Sequence, residues 1–153
     1  MAVIVDRTGG RMLNAGWPLY LLLFPIPVVS FLAALAADVV YAKSTSLMWL
    51  HFSEWLLAGG LAFGLLAAIV LLVEFFVSAP LRARPAAWGH LCFFYASLVV
   101  ELVNAFIHSI DGYSAVVPAG MWLSIIGGLL ALVAVATLFF AAPPAIALRE
   151  VRP

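Results

Sequence analysis

His90, Ser97, Glu101, Asn104 and His108 lie within one apolar stretch, WGHLCFFYASLVVELVNAFIHSID, running from Trp88 to Asp111. With Phe94 filling the gap, successive members stand 4, 3, 4, 3 and 4 residues apart. On an α-helix that spacing makes one continuous seam, because neighbours three or four apart share a face. Imidazole, carboxyl, amide and hydroxyl groups along one line can ligate a cation or pass a proton. An ionisable side chain at membrane depth is costly and marks a functional site by default. His51 and Glu54 form a second pair, three residues apart, so both can face one point.

A histidine and a carboxylate three apart on one helix, completed from another helix, is a common way to build a metal site in a bundle core. Glu101 and His108 supply the second half, giving His51, Glu54, Glu101 and His108 as the expected metal ligands. That donor set suits zinc, iron or manganese. Copper prefers softer donors, and Met48 and Met121 are predicted at the same depth. A haem b alternative uses only His51 and His108, as axial ligands. His90 has no histidine partner at its own depth, so a two-haem pattern is absent. A third reading moves a proton through Glu101, with His108 as the exit. Against all three stands the plain one, in which polar groups between membrane helices only hydrogen-bond their neighbours, for about 0.6–1.7 kcal/mol each. His90 falls on that side, and Asp38 and Asp111 read as helix-end residues.

The elements that must position these groups follow from composition. Of 153 residues, 67% are hydrophobic and 9% are charged, and the mean hydropathy is +1.20. A water-soluble domain needs apolar residues only inside, so this composition defines an integral membrane protein. The fold class is all-α, since only helices satisfy their own backbone in short membrane-spanning segments. The formal net charge is zero, which gives no footprint for nucleic acid. Cys92 is the single cysteine and can form no internal disulfide.

Residues 1–15 form a polar lead, 16–142 a transmembrane domain and 143–153 a tail. The membrane helices are predicted at about 17–41, 47–77, 87–110 and 118–141. A first helix of that length exceeds the roughly 7–15 apolar residues of a signal-peptide core. Pro25 and Pro27 are expected to kink it or start it afresh. Gly60, Gly64 and Ala68 make a row of small residues that lets a neighbour approach closely, and Gly120, Ser124 and Gly128 repeat the spacing. Trp17, Trp49, Trp88 and Trp122 read as interfacial anchors. Pro143 and Pro144 end the last helix.

Arg7, Arg11, Arg82, Arg84, Arg149 and Arg152 fall on one side of an antiparallel four-helix bundle, and Lys43 alone on the other. The positive-inside rule then puts both termini in the cytoplasm. In that frame His51, Glu54, Asn104, His108 and Asp38 lie near the outer face, with Glu101 deepest. Glu74 and His90 lie near the inner face, beside Arg82 and Arg84.

The stretch WPLYLLLFPI, Trp17 to Ile26, is similar to an H-P-x-L-V-x-F-P-I opening, and WLHFSEWLLAGGLAFGLLAA, Trp49 to Ala68, to W-x-x-x-x-x-W-L-L-A-x-G-L-x-x-G-L-L-A-A. AWGH, Ala87 to His90, matches an A-W-x-H motif. Together these resemble the bacterial membrane family called domain of unknown function 2231. In that pattern Glu74 stands where aspartate is usual, and Asn104 matches a later asparagine. Trp17 replaces the opening histidine, and Phe94 replaces a frequent asparagine. His51, Glu54, Glu101 and His108 lie outside the pattern. The resemblance implies a four-helix protein of the bacterial inner membrane and no established activity.

No nucleophile–base–orienter set and no Gly-rich phosphate loop marks a self-contained enzyme. There is no broken-helix pair or inverted repeat of a transporter. Short loops leave little room for a soluble domain. They favour an accessory or anchor subunit, with partner subunits of a membrane complex or further copies of itself as company, and with a redox or metal centre between the second and third helices.

Overall fold

The computed structural model describes the backbone of residues 16–110 and 116–141; the lead, Asp111, Pro143, Pro144 and the four terminal arginines lie outside the described residues. Among the described residues six helices follow in order: α1 (Gly16–Leu23), α2 (Pro25–Ser44), α3 (Leu47–Val77), α4 (Ala79–Arg82), α5 (Pro85–His108) and α6 (Ala119–Ala141). No strand occurs among the described residues. Four segments of the described residues are long and apolar enough to cross a membrane: Pro18–Ser44, Leu47–Val77, Pro85–His108 and Ala119–Phe140.

The proline pair divides the first of these. Pro25 has no N–H to offer the carbonyl one turn back, so the helix breaks at Phe24 and restarts. The Phe24 N–H still bonds the Tyr20 carbonyl at 2.8 Å, which carries the chain through the break. α2 runs on to Ser44, three residues past its expected end, and closes on Thr45 in the left-handed region, whose N–H bonds the Tyr41 carbonyl. The loop expected after α3 contains the single turn α4. Arg82 folds back from it and donates to the Phe75 and Phe76 carbonyls at the end of α3, where a cation is favoured by the helix dipole.

The four spanning segments close a ring: α2 packs on α3, α3 on α5, α5 on α6 and α6 back on α2. Small residues set how closely. A Cβ added at Gly60 would stand 2.7 Å from the Phe31 ring, and one at Gly64 would stand 2.5 Å from Leu98. Phe31, Leu57, Leu71, Phe94 and Ala134 fill the centre. The outside is largely apolar, with Leu22, Trp55, Phe76, Phe106 and Phe139 exposed. Polar groups are instead inside, where Asp38, Ser53, Glu74, His90, Ser97, Glu101, Asn104, His108 and Ser124 are buried. An apolar exterior around a polar interior is the pattern a bilayer demands.

Candidate functional site

α5 buries Ala87, His90, Phe94, Ser97, Glu101, Asn104 and His108, which is the seam read from the spacing, extended by one residue. Because α5 packs most extensively on α6, the seam faces α6 and α2. At one end, the His108 Nε2 lies 3.0 Å from Asp38 Oδ1, with both side chains fully buried. Ser53 on α3 donates to Asp38 Oδ1 at 2.6 Å, and Ser124 on α6 donates to Asp38 Oδ2 at 2.5 Å. Asp38 therefore accepts three hydrogen bonds, one from each of the other three spans.

Those contacts define charge states. The second His108 nitrogen, Nδ1, lies 3.1 Å from the Asn104 carbonyl. A carbonyl only accepts, so Nδ1 carries hydrogen, and Nε2 shares a proton with Asp38. The geometry suits an imidazolium–carboxylate pair. Such a pair is neutral overall, and losing either member would leave an uncompensated buried charge.

The network continues from the pair towards the middle of the bundle. The Asn104 amide donates to Ser124 Oγ at 2.8 Å and to Glu101 Oε2 at 2.9 Å. Ser97 pins the facing backbone by donating to the Gly127 carbonyl at 2.9 Å. The Glu101 carboxyl rests on bare backbone at Gly127, where an added Cβ would overlap it. Glu101 Oε1 and Asn104 Oδ1 are buried without a hydrogen-bond partner among the described residues. With Asp38 and His108 balancing each other, an ionised Glu101 would leave a net buried charge, so the neutral acid is the form that fits.

His90, at the other end of the seam, is bonded differently. Its Nδ1 lies 2.8 Å from the Ala134 carbonyl and so donates, which leaves Nε2 to accept from the Tyr20 hydroxyl. The ring stacks on Phe94, 6.2 Å between centroids, and meets Phe24 edge-on at 5.1 Å. A neutral imidazole with both nitrogens satisfied fills this site. Phe94, Phe24 and Tyr20 pack into an apolar plug beside His90, at the Phe94 position between His90 and Ser97. Glu74 is buried in α3, and the Arg82 guanidinium bonds the carbonyls at the end of α3.

The outer four are also divided. His51 Nδ1 and Glu54 Oε2 pair at 3.0 Å on the surface of α3, with side chains 61% and 33% exposed. Glu101 and His108 point inwards instead, and the partner of His108 is Asp38. Among the described residues no three of His, Cys, Asp and Glu are arranged to hold a metal ion. As axial haem ligands, His51 and His108 would have to leave their present partners, since His108 has no free ring nitrogen. The physical reason is rotational: the seam turns Glu101 and His108 towards α6 and α2, while His51 is on the outside of α3.

Asp38, read as a helix-end residue, stands six residues inside α2 and is the hub of the network. Its sequence signal is periodicity, since Phe31, Ala34, Asp38 and Tyr41 share one buried stripe. Ser53 and Tyr20 went unread. Ser53 continues the row of Gly60 and Gly64 one heptad back, whereas nothing local distinguishes Tyr20 from its apolar neighbours.

Fold and site together define a polytopic membrane protein whose spanning helices enclose a hydrogen-bonded ionisable network. A family model described as "Predicted membrane protein (DUF2231)" matches residues 16–142, and the chain belongs to that family. No curated protein and no solved structure matches it.

Proposed function

We propose that this chain handles protons in the bacterial inner membrane, with Asp38, His108 and Glu101 as the groups that hold them. One observation carries the reading: a fully buried ion pair is linked through Ser124 and Asn104 to a buried carboxyl whose Oε1 has no partner among the described residues. A purely structural network would satisfy its own atoms, because each orphaned buried polar group costs about 1–3 kcal/mol. The plug of Phe94, Phe24 and Tyr20 supports a gated arrangement, in which protons exchange from one side unless the aromatic cluster moves.

The working topology is an antiparallel bundle with residues 16–142 in the membrane, and with the 1–15 lead and the 143–153 tail in the cytoplasm. Opposite running order of α5 and α6 is supported by their meeting points, His90 with Ala134, Ser97 with Gly127 and Asn104 with Ser124. The excess of arginine on one side supports the orientation.

The test is proton flux into proteoliposomes loaded with a pH-sensitive dye, under an imposed potassium diffusion potential. Wild type acidifies the lumen, and Glu101→Gln, which keeps shape but holds no acidic proton, lowers the rate by roughly 100-fold, the scale of a proton-transferring side chain. Flux equal to that of empty vesicles in the wild type would sink the reading.

A second reading is an accessory or anchor subunit, or a homo-oligomer. It is favoured by an apolar groove of about 400 Å³ between α3 and α5, lined by Leu61, Leu65, Tyr95, Leu98 and Leu102. In its metal-bearing form the exposed His51–Glu54 pair is the natural start of a transition-metal site. Mass measurement and metal analysis after mild extraction separate this reading from a solitary proton-handling chain.

A further inference from the structure

Met48, His51, Phe52 and Trp55 stand at i, i+3, i+4 and i+7 on the first turns of α3, a spacing that sets them on one helix face. All four are exposed. With Trp49 they line a surface cleft of about 430 Å³, in which His51 is the only ionisable lining residue. Trp49 meets Phe52 edge-on, 6.0 Å between ring centroids. The Glu54 side of His51 borders a second cleft of about 480 Å³ between α3 and α5. Glu54 Oε2 lies 3.0 Å from His51 Nδ1. A carboxylate accepts, so Nδ1 donates and Nε2 keeps the lone pair of a neutral ring. A carboxylate on one nitrogen is how a protein orients a histidine that binds metal through the other. Glu54 therefore serves as the orienting group of His51 rather than as the ligand expected from its spacing.

We infer that this face binds a soft monovalent metal ion of the copper(I) class, with His51 Nε2 and the Met48 thioether as donors, Trp55 as an aromatic cap and Glu54 as a positioning residue. The inference rests on the metal-bearing form of the second reading above and names its metal. Donor type is the first reason. A thioether beside an imidazole selects copper(I), whereas zinc in a closed site takes four ligands and this face offers one histidine. Charge is the second. The single Glu54 carboxylate balances one positive charge, so a monovalent ion leaves the assembly neutral at the membrane edge and a divalent ion does not. The third is the indole, whose face attracts a cation. Donors of these kinds are consistent with the absence, among the described residues, of any three of His, Cys, Asp and Glu grouped for a metal. The other histidines do not compete, because both nitrogens of His90 and of His108 already have partners.

The test titrates silver(I), a soft ion without redox chemistry of its own here, into the full chain in lipid nanodiscs. A Cys92→Ser background removes the exposed thiol of α5, and labelled histidine nitrogens and methionine methyls report where the ion binds. One silver per chain is expected, shifting the His51 Nε2 and Met48 resonances and leaving those of His90, His108 and Met121 in place. Glu54→Gln should weaken binding by roughly 10–100-fold and move the His51 Nδ1 resonance before any metal is added. His51→Gln and Met48→Leu should cost at least as much, and Trp55→Leu roughly 2–5-fold. Silver binding unchanged in both His51→Gln and Met48→Leu would overturn the inference, as would zinc(II) displacing silver at equal concentration. Mass measurement keeps the readings apart. A solitary chain that binds silver at His51 keeps the site and rejects the subunit, whereas an assembly whose silver binding ignores His51 and Met48 keeps the subunit and rejects the site.

Discussion

His90 and His108 share one helix face and are both fully buried, yet their surroundings give them opposite characters. His90 has one acceptor and one donor, the Ala134 carbonyl and the Tyr20 hydroxyl, so a neutral ring satisfies both. His108 has two acceptors, the Asn104 carbonyl and Asp38, so the charged ring satisfies both. Burial alone therefore says little about what a membrane histidine does. The partner on each nitrogen decides, and it decides between packing and proton chemistry.

The comparison can be broken most forcefully at Asp38. Asp38→Ala removes the counter-charge of His108 and an acceptor shared by two serine hydroxyls, at an expected cost of about 3–5 kcal/mol. Thermal unfolding in a fixed detergent measures it, and a loss below about 1 kcal/mol would mean that His108 is not charged in the bundle. A smaller effect is expected at the other histidine. His90→Phe keeps the ring in the aromatic plug but removes two buried hydrogen bonds, to the Tyr20 hydroxyl and to an Ala134 carbonyl that Thr137 still bonds, costing about 1–2 kcal/mol. Its sharper signature is functional: vesicle proton flux should stay at the wild-type rate, and a collapse in flux would place His90 in the path after all. The smallest effect belongs to the surface. His51→Ala removes an exposed ion pair worth about 0.2–1 kcal/mol, so unfolding should barely shift, and a loss matching that of Asp38→Ala would show that the pair is buried.

Part of this site is legible in the residues themselves. The run from His90 to His108 at spacings of 4 and 3 has only one helical reading, and the structure buries every member of it. Gly60 and Gly64 likewise announce a close approach, which Phe31 and Leu98 make. Spacing on one helix says nothing, however, about which helix stands opposite. His51 and Glu54 share a depth with His108, and depth is not contact. They pair with each other on the surface, while Asp38 and Ser124 reach His108 and Asn104 from other helices. Asp38 was the hardest to see, because an acidic residue near the end of an apolar run normally reaches for water.

The amino-acid sequence by itself determined the membrane class, the spanning segments and the polar seam, because hydropathy and helical periodicity are properties of a chain read one segment at a time. Only the tertiary structure decided that the seam faces α6 and α2, that Asp38 is its centre, and that His51 and Glu54 line a cleft rather than join it. Those depend on the rotation of each helix about its own axis. That rotation is set by packing between segments distant in the chain, where small residues at Gly60, Gly64 and Gly127 choose which faces can touch.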